Sequence, residues 1–300
     1  MNNKLLPILI VSIFLISSCS TTKQKQASTE TKITDEQKWQ KWVTDYDESL
    51  SARDGWLSLV GLYWLNEGDN SIGSTDSNQH RFPQGTPENF GTINISNKVI
   101  TFTRMSQNTL IDNKDIKSQV LLPNKTIVSF GSYSFYVIER EKGFAIRLQD
   151  RHNPAIAKFN GTQFYPYKKS WEIPARLVRP ETTKKINIKT VYQTTRQDDF
   201  AGWLEFRYQG KLIRLKAVSY GDEYPMSIMF VDETSQETTY GAGRYLDVDW
   251  PKDDSGDTVI DFNYAYNPPC AITKFATCPL PPQGNRLDFS VDAGELFDEH

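Results

Sequence analysis

The sequence has little of what most metal and nucleophile sites are built from. Its 300 residues include three His, three Cys and four Met. His80, His152 and His300 lie far apart and no C-x-x-C pair occurs, so the ligand spacing of a structural zinc site is missing. No metal and no cofactor is expected. A nucleophilic Cys needs a nearby base, usually His, and none stands in the block that holds Cys270 and Cys278. Basic charge is not in excess: 34 Lys+Arg face 37 Asp+Glu, a net charge of −3. Nucleic acid is therefore not an expected partner, because binding it takes a basic surface that displaces counterions. Only one long apolar run occurs, which excludes a multi-span membrane protein. No G-x-S-x-G, Walker A, strand-borne G-x-G-x-x-G or H-E-x-x-H is present. What the chain does have is 12% aromatic residues, enough large buriable surface to exclude disorder over most of its length.

The single apolar run, residues 5–16, follows Lys4. It falls short of the ~20 residues that span a bilayer and fits the h-region of a secretory signal. The next residues, Ile16-Ser17-Ser18-Cys19, resemble the lipobox of bacterial lipoproteins. That resemblance implies cleavage before Cys19 and lipidation of Cys19. Ser20, rather than Asp, follows the Cys, and by similarity to Gram-negative sorting this implies the outer membrane. An ordinary signal peptide with a chance Cys is the other reading. Two or more acyl chains anchor stably where one binds only marginally. Loss of residues 1–18 removes Lys4, so the mature charge becomes −4 and two Cys remain in the globular part. Residues 19–34 are almost wholly polar and are expected to form a disordered tether.

Residues 35–165 are expected to hold an N-terminal helix and a first β-unit. Thr34 and Gln37 have capping-box spacing, and Trp39, Trp42, Val43, Tyr46 and Leu50 follow the stripe of one helix face. That stripe packs either on a neighbouring sheet or on a membrane surface. From Gly55 the apolar period becomes two. Residues 55–65 read as one long strand or two short ones, and further strands are expected at 92–95, 99–104, 126–130, 134–139 and 145–148. Arg147 and Asp150, with His152 close by, read as a surface or turn pair. The stretch 64–103 loosely resembles forkhead-associated domains through Gly73-Ser74 and the Gly91-x-Ile93-x-Ile95 strand. The resemblance implies a β-sandwich shape and no phosphopeptide activity. The Arg that grips phosphothreonine has no counterpart before Gly73, and Arg81-Phe82-Pro83 departs from the family after His80.

Residues 166–300 are expected to form a second β-unit, with strands at 186–196, 203–208, 212–219, 226–231, 244–248, 259–263 and 286–291. Gln209-Gly210 gives a hairpin signal between two of them. Gly241-Ala242-Gly243 reads as a tight turn or bulge. No run alternates strand with helix, so the fold class is mainly β: an N-terminal helix and two packed antiparallel β-units of sandwich or barrel type.

The candidate site lies in the second unit. Residues 263–285 form a connection rich in Pro and aromatics, too long for a passive loop. It either builds a concave ligand site or caps an open end of the sheet. Asp261 and Asn263 alternate on one strand face, and Arg244 opens another strand. Arg244 and Asp261 form either a buried ion pair that fixes sheet register or part of a polar cluster with Asn263 and Asn267. Such a cluster would orient a glycan or another small polar ligand between Tyr240 and Tyr266. A second reading makes Asp261 and Glu295 the carboxylate pair of a glycan-directed hydrolase, which needs the two carboxyls across one cleft. Cys270 and Cys278 close a short loop as a disulfide, or stand as two free thiols with a redox role.

The strings Asp261-Phe262-Asn263, Ala265-Tyr266-Asn267-Pro268-Pro269-Cys270-Ala271, Cys278-Pro279-Leu280-Pro281-Pro282, Asn285-Arg286-Leu287 and Ala293-Gly294-Glu295 resemble an uncharacterised prokaryotic family, domain of unknown function 1684. Residues 55–65 resemble its front end. The resemblance implies a shared fold and a shared site and supplies no activity.

Overall fold

The computed structural model describes residues 33–182 and 184–297. The expected signal peptide (1–18), Cys19 and nearly all of the expected tether (19–34) lie outside these residues. Asp35–His300 forms one compact unit. It is mainly β, with one long helix at its start.

Helix Asp35–Ser51 begins directly after Thr34 and buries Trp39, Val43 and Leu50. Its stripe docks on residues distant in sequence rather than on the sheet that follows it. The Trp39 indole Nε1–H donates to the Asn263 carbonyl at 3.0 Å, and the Trp39 ring meets Phe164 edge-on.

Two five-stranded sheets follow. One orders Leu59–Trp64, Gly143–Asp150, Tyr133–Arg140, Val128–Phe130 and Leu110–Ile111. The other orders His80–Arg81, Gly68–Gly73, Gly91–Ser96, Val99–Arg104 and Ser118–Val120. They share one apolar core, in which Ile93 and Phe102 of the second meet Phe135 and Ile146 of the first. Alternation puts every second residue of a strand into that core. All pairings are antiparallel except a short parallel one between Gly68–Gly73 and His80–Arg81. The segment 55–65 is not one strand: Trp56–Ser58 is a turn of 3-10 helix before Leu59–Trp64.

The second assembly is a seven-stranded sheet. Its order is Arg244–Val248, Met226–Phe230, Lys211–Ser219, Thr195–Tyr208, Glu172–Val178 and Asp257–Asp261, with Lys184–Lys189 paired to the first half of the long strand. The expected hairpin forms at Gln209-Gly210, where both residues have positive φ, 48° and 80°. That is the backbone of a type I′ turn, whose twist suits paired strands. The expected strand 186–196 is instead two strands with a turn between them. The expected strand 286–291 does not form. Its amides have other partners: Leu287 N–H donates to the Val231 carbonyl and Val291 N–H to the Asp232 carboxylate.

Candidate functional site

The loop 263–285 is ordered by hydrogen bonds on both sides. On the seven-stranded sheet, Leu280 N–H donates to the Lys189 carbonyl at 2.7 Å, and the Tyr245 hydroxyl donates to the Pro279 carbonyl at 2.6 Å. On the other side, the Thr277 hydroxyl accepts from Arg140 and Arg147 of the N-terminal sandwich. Cys270 and Cys278 stand side by side, their Cα atoms 6.1 Å apart. Thr190 and Val191, at the turn between two strands, pair with Pro279 and Cys278.

The residues expected to form one polar cluster separate into three places. Arg244 is buried and pairs with Asp232, not with Asp261. Its Nη2 donates to Asp232 Oδ2 at 3.1 Å and to the Val291 carbonyl at 3.1 Å. Asp232 also accepts from Thr234, Ser235 and the Val291 amide. The expected Arg244–Asp261 pair is thereby corrected. Arg244–Val248 pairs with Met226–Phe230, and Asp232 follows that neighbour, so the Arg244 guanidinium meets Asp232 in the interior, whereas Asp261 lines a cleft and is engaged by Asn263. Gly243 makes this approach possible: its φ is 96°, and a Cβ there would lie 2.5 Å from the Phe230 carbonyl oxygen. Tyr240 stands apart, its ring edge-on to Phe297.

Asn263 and Asn267 are buried and serve the backbone. The Asn263 side chain exchanges two hydrogen bonds with the Lys168 backbone and donates to Asp261 Oδ1 at 2.7 Å. Asn267 Nδ2 donates to the Leu296 carbonyl, and the Asn267 N–H donates to Glu295 Oε2 at 2.7 Å. Glu295 also accepts from the Tyr46 hydroxyl. Burial pushes its carboxyl up to about 7, against the hydrogen bonds from Asn267 and Tyr46.

Asp261 and Tyr266 do share a cleft. It has a volume of about 760 Å³ and lies between the helix and the strand ends at 247–261. Trp42, Trp250, Tyr264 and Tyr266 give it aromatic walls. Trp42 and Tyr264 meet edge-on at 5.0 Å. Six carboxylates, Asp247 and Asp261 among them, line it against one cation, Lys252. Asp261 uses Oδ1 for Asn263, and Oδ2 accepts no hydrogen bond among the described residues. Burial raises the Asp261 carboxyl to about 6, with nearby Glu172 adding to the rise. Glu295 lines a different cleft, of about 800 Å³, with Asn267 and Phe297. The two carboxyls of the glycan-hydrolase reading therefore do not face one cleft.

Sequence reasoning missed Trp42, Trp250 and Glu172 in the cleft and Asp232 as the partner of Arg244. The helix stripe marked Trp42 as one face but not what that face meets. Asp232 carried no signal beyond its place after a strand.

Residues 157–296, just under half of the chain, match the family model described as a protein of unknown function (DUF1684). The match does not reach residues 55–65. The chain is similar to an uncharacterised protein from gene locus rrnAC0354 of Haloarcula marismortui, solved in solution, at 28% identity and a TM-score of 0.42 over 49% of this chain and 82% of that one. It is also similar to two forkhead-associated domain structures at 22% identity and TM-scores of 0.22, each over 29% of this chain. One is the Rv0020c FHA domain, covered over 78% of its length. The other is the FhaA FHA domain in complex with the intracellular domain of Rv3910, covered over 86%. No curated protein matches the chain.

Proposed function

We propose that this chain is a lipid-anchored protein of the cell envelope, held to the outer membrane through Cys19, that binds a small polar ligand or glycan in the cleft beside Asp261. The observation that carries the binding reading is the cleft itself: four aromatic side chains around six carboxylates, of which Glu172 and Asp261 are half-buried and Asp261 has an oxygen free. Aromatic faces stack on the apolar face of a sugar ring, and carboxylate oxygens accept from its hydroxyls. Six carboxylates against Lys252 in the lining and Lys169, which pairs with Glu172, leave an excess of negative charge that favours a neutral or cationic ligand and repels an anionic one. Arg244 and Asn267 belong to the scaffold under this reading, and Tyr240 lies outside the cleft. Separation of Asp261 and Glu295 into two clefts counts against the glycan hydrolase.

The test is a thermal-shift screen of full-length protein in mild detergent against neutral and amino glycans. A ligand that binds only the native state raises the melting temperature. Asp261→Asn and Trp42→Ala should abolish the shift given by the wild type. No shift from any glycan, or the same shift in both folded variants, rejects the cleft. The anchor has its own test: labelled fatty acid should enter the wild type and not Cys19→Ala. We also take Cys270 and Cys278 as a disulfide. Titration of the denatured mature protein should find two thiols only after reduction.

A further inference from the structure

The expected surface pair of Arg147 and Asp150 does not exist. Their odd spacing places them on opposite faces of Gly143–Asp150. Asp150 accepts from the His152 amide, while Arg147 points away from the sandwich core and is only 6% exposed. A buried guanidinium normally meets a carboxylate, because an unpaired buried charge is costly. Among the described residues Arg147 has none. Of its five N–H donors, Nη2 donates to the Thr277 hydroxyl at 3.3 Å, and Nε is buried without a partner.

A second arginine converges on the same hydroxyl. Arg140 Nε donates to Thr277 Oγ1 at 3.1 Å, and Arg140 Nη1 donates to the Glu139 carbonyl. One hydroxyl oxygen with two donors has no acceptor capacity left. The nearby carboxylate of Asp198 is already taken by Arg196 at 2.6 Å and by the Tyr220 hydroxyl. Glu141 accepts from Thr194 and offsets only part of the positive charge at Arg140. The Trp56 ring lies 4.9 Å from the Arg147 guanidinium carbon and fixes its plane. Arg140 lines a hollow of about 350 Å³ with Glu139, Glu141 and Asp198, and Trp56 lines one of about 440 Å³ with Tyr136 and Gln149. Tyr136 is the cross-strand partner of Arg147, and Gln149 follows it on the same strand face. The only carboxylate in that lining, Asp54, is exposed.

We propose that Arg147, Arg140 and Thr277 form a binding site for a small oxyanion, a phosphate or a carboxylate group, at the seam between the N-terminal sandwich and the motif loop. The planar fork of Arg147 matches such a group bidentately, and Arg140 supplies the second charge. The site is independent of the acidic cleft, whose charge rejects the same ligand.

Thermal shift of the full-length protein in detergent tests it, with inorganic phosphate and malonate at low millimolar concentration against chloride of equal ionic strength. At ten times its dissociation constant, either anion should raise the wild-type melting temperature by about 3 °C or more. The larger shift names the source, phosphoryl or carboxyl. Arg147→Met should lose the shift while its own melting temperature stays level or rises, because it removes an unpaired buried charge. If that variant does not fold, Arg140→Gln decides: loss of the shift supports the site and retention rejects it. No wild-type shift with either anion, or an equal shift in Arg147→Met, overturns the proposal. Failure here leaves the glycan screen unaffected, and failure of that screen leaves this site standing.

Discussion

The N-terminal sandwich and the C-terminal sheet bury different kinds of side chain. The sandwich is filled by rings and branched aliphatics: Phe82, Phe90, Phe102 and Phe135 meet largely edge-on at 5.6–6.1 Å. Its one buried charge is Arg147, and that side chain faces the C-terminal loop. The C-terminal half buries Asp198, Asp232, Arg244 and Glu295, together with Asn263, Asn267 and Asn285. Apolar packing is non-directional and tolerates repacking, whereas buried polar groups must each meet a partner of fixed geometry. Both halves thus have an apolar core, and the motif-bearing half adds to its own a set of buried charges and amides that connect its loops. A loop of 263–285 that lacks regular secondary structure over most of its length needs such connections to hold one shape.

The sharpest way to break this contrast is at Asp232. Asp232→Ala leaves Arg244 charged, 1% exposed and without its carboxylate, and takes the acceptor from the Val291 amide. Urea unfolding should show a loss of about 3–5 kcal/mol. The double variant Asp232→Leu, Arg244→Met should recover most of it, since replacing both ions by apolar side chains removes the orphaned charge. A double variant as unstable as the single one would show that the backbone groups of Val291 and Ala293 left without partners, and not the orphaned charge, carry the loss. Burial already pulls the Arg244 guanidinium below its ordinary value despite Asp232.

Asn285 is the next test. Its Oδ1 accepts from Lys216 N–H at 2.8 Å, and its Nδ2 donates to the Lys216 and Met229 carbonyls at 2.8 and 2.9 Å. Asn285→Ala leaves three backbone groups without these partners and should cost about 2–3 kcal/mol by the same measurement. In the sandwich, Ile146→Val should cost only about 1 kcal/mol, the typical effect of one buried methylene.

Glu295 carries the contrast into pH. Its folded carboxyl holds its proton up to about 7, against the ordinary 4.5, chiefly because it is buried. Between those values the folded state binds more protons than the unfolded chain, so stability falls as pH rises. The slope from this group reaches about 1.4 kcal/mol per pH unit. Asp261, raised to about 6, adds the same sign at lower pH. Glu295→Gln keeps an acceptor for the Asn267 amide and the Tyr46 hydroxyl but has no proton to lose. It should match the wild type near pH 4.5 and exceed it at pH 8. Equal slopes in melting temperature against pH would reject this account.

Local features were legible in the sequence and long-range partners were not. Residues 99–104 and 244–248 alternate cleanly and form strands with those bounds, and Gln209-Gly210 turns as its backbone preferences require. Residues 286–291 also alternate, yet alternation says nothing about whether a neighbouring strand is there to receive the amides. Arg244 announced a buried charge without its partner, because face follows from spacing while strand order follows from the whole sheet. Of the candidate site residues, Arg244, Asn267 and Tyr240 do not line the cleft, while Asp261 and Tyr266 do. Trp42, more than 200 residues away, joins them only through helix docking.

That docking allows a small but clean comparison on one helix. Lys41 and Asp45 pair at 2.7 Å on its exposed face, four residues apart, with both side chains more than half exposed. Water screens such a pair, and holding two long side chains in one geometry costs entropy, so it contributes little. Trp39, on the opposite face, donates to the Asn263 carbonyl at the end of the cleft strand. Trp39→Phe keeps an aromatic ring and leaves that carbonyl without the indole, a loss of about 1–2 kcal/mol. Lys41→Ala should change stability by less than about 0.5 kcal/mol and lose even that effect in high salt. Equal effects from the two substitutions would mean that the helix is held by its charged surface rather than by the polar contact it makes with the C-terminal half.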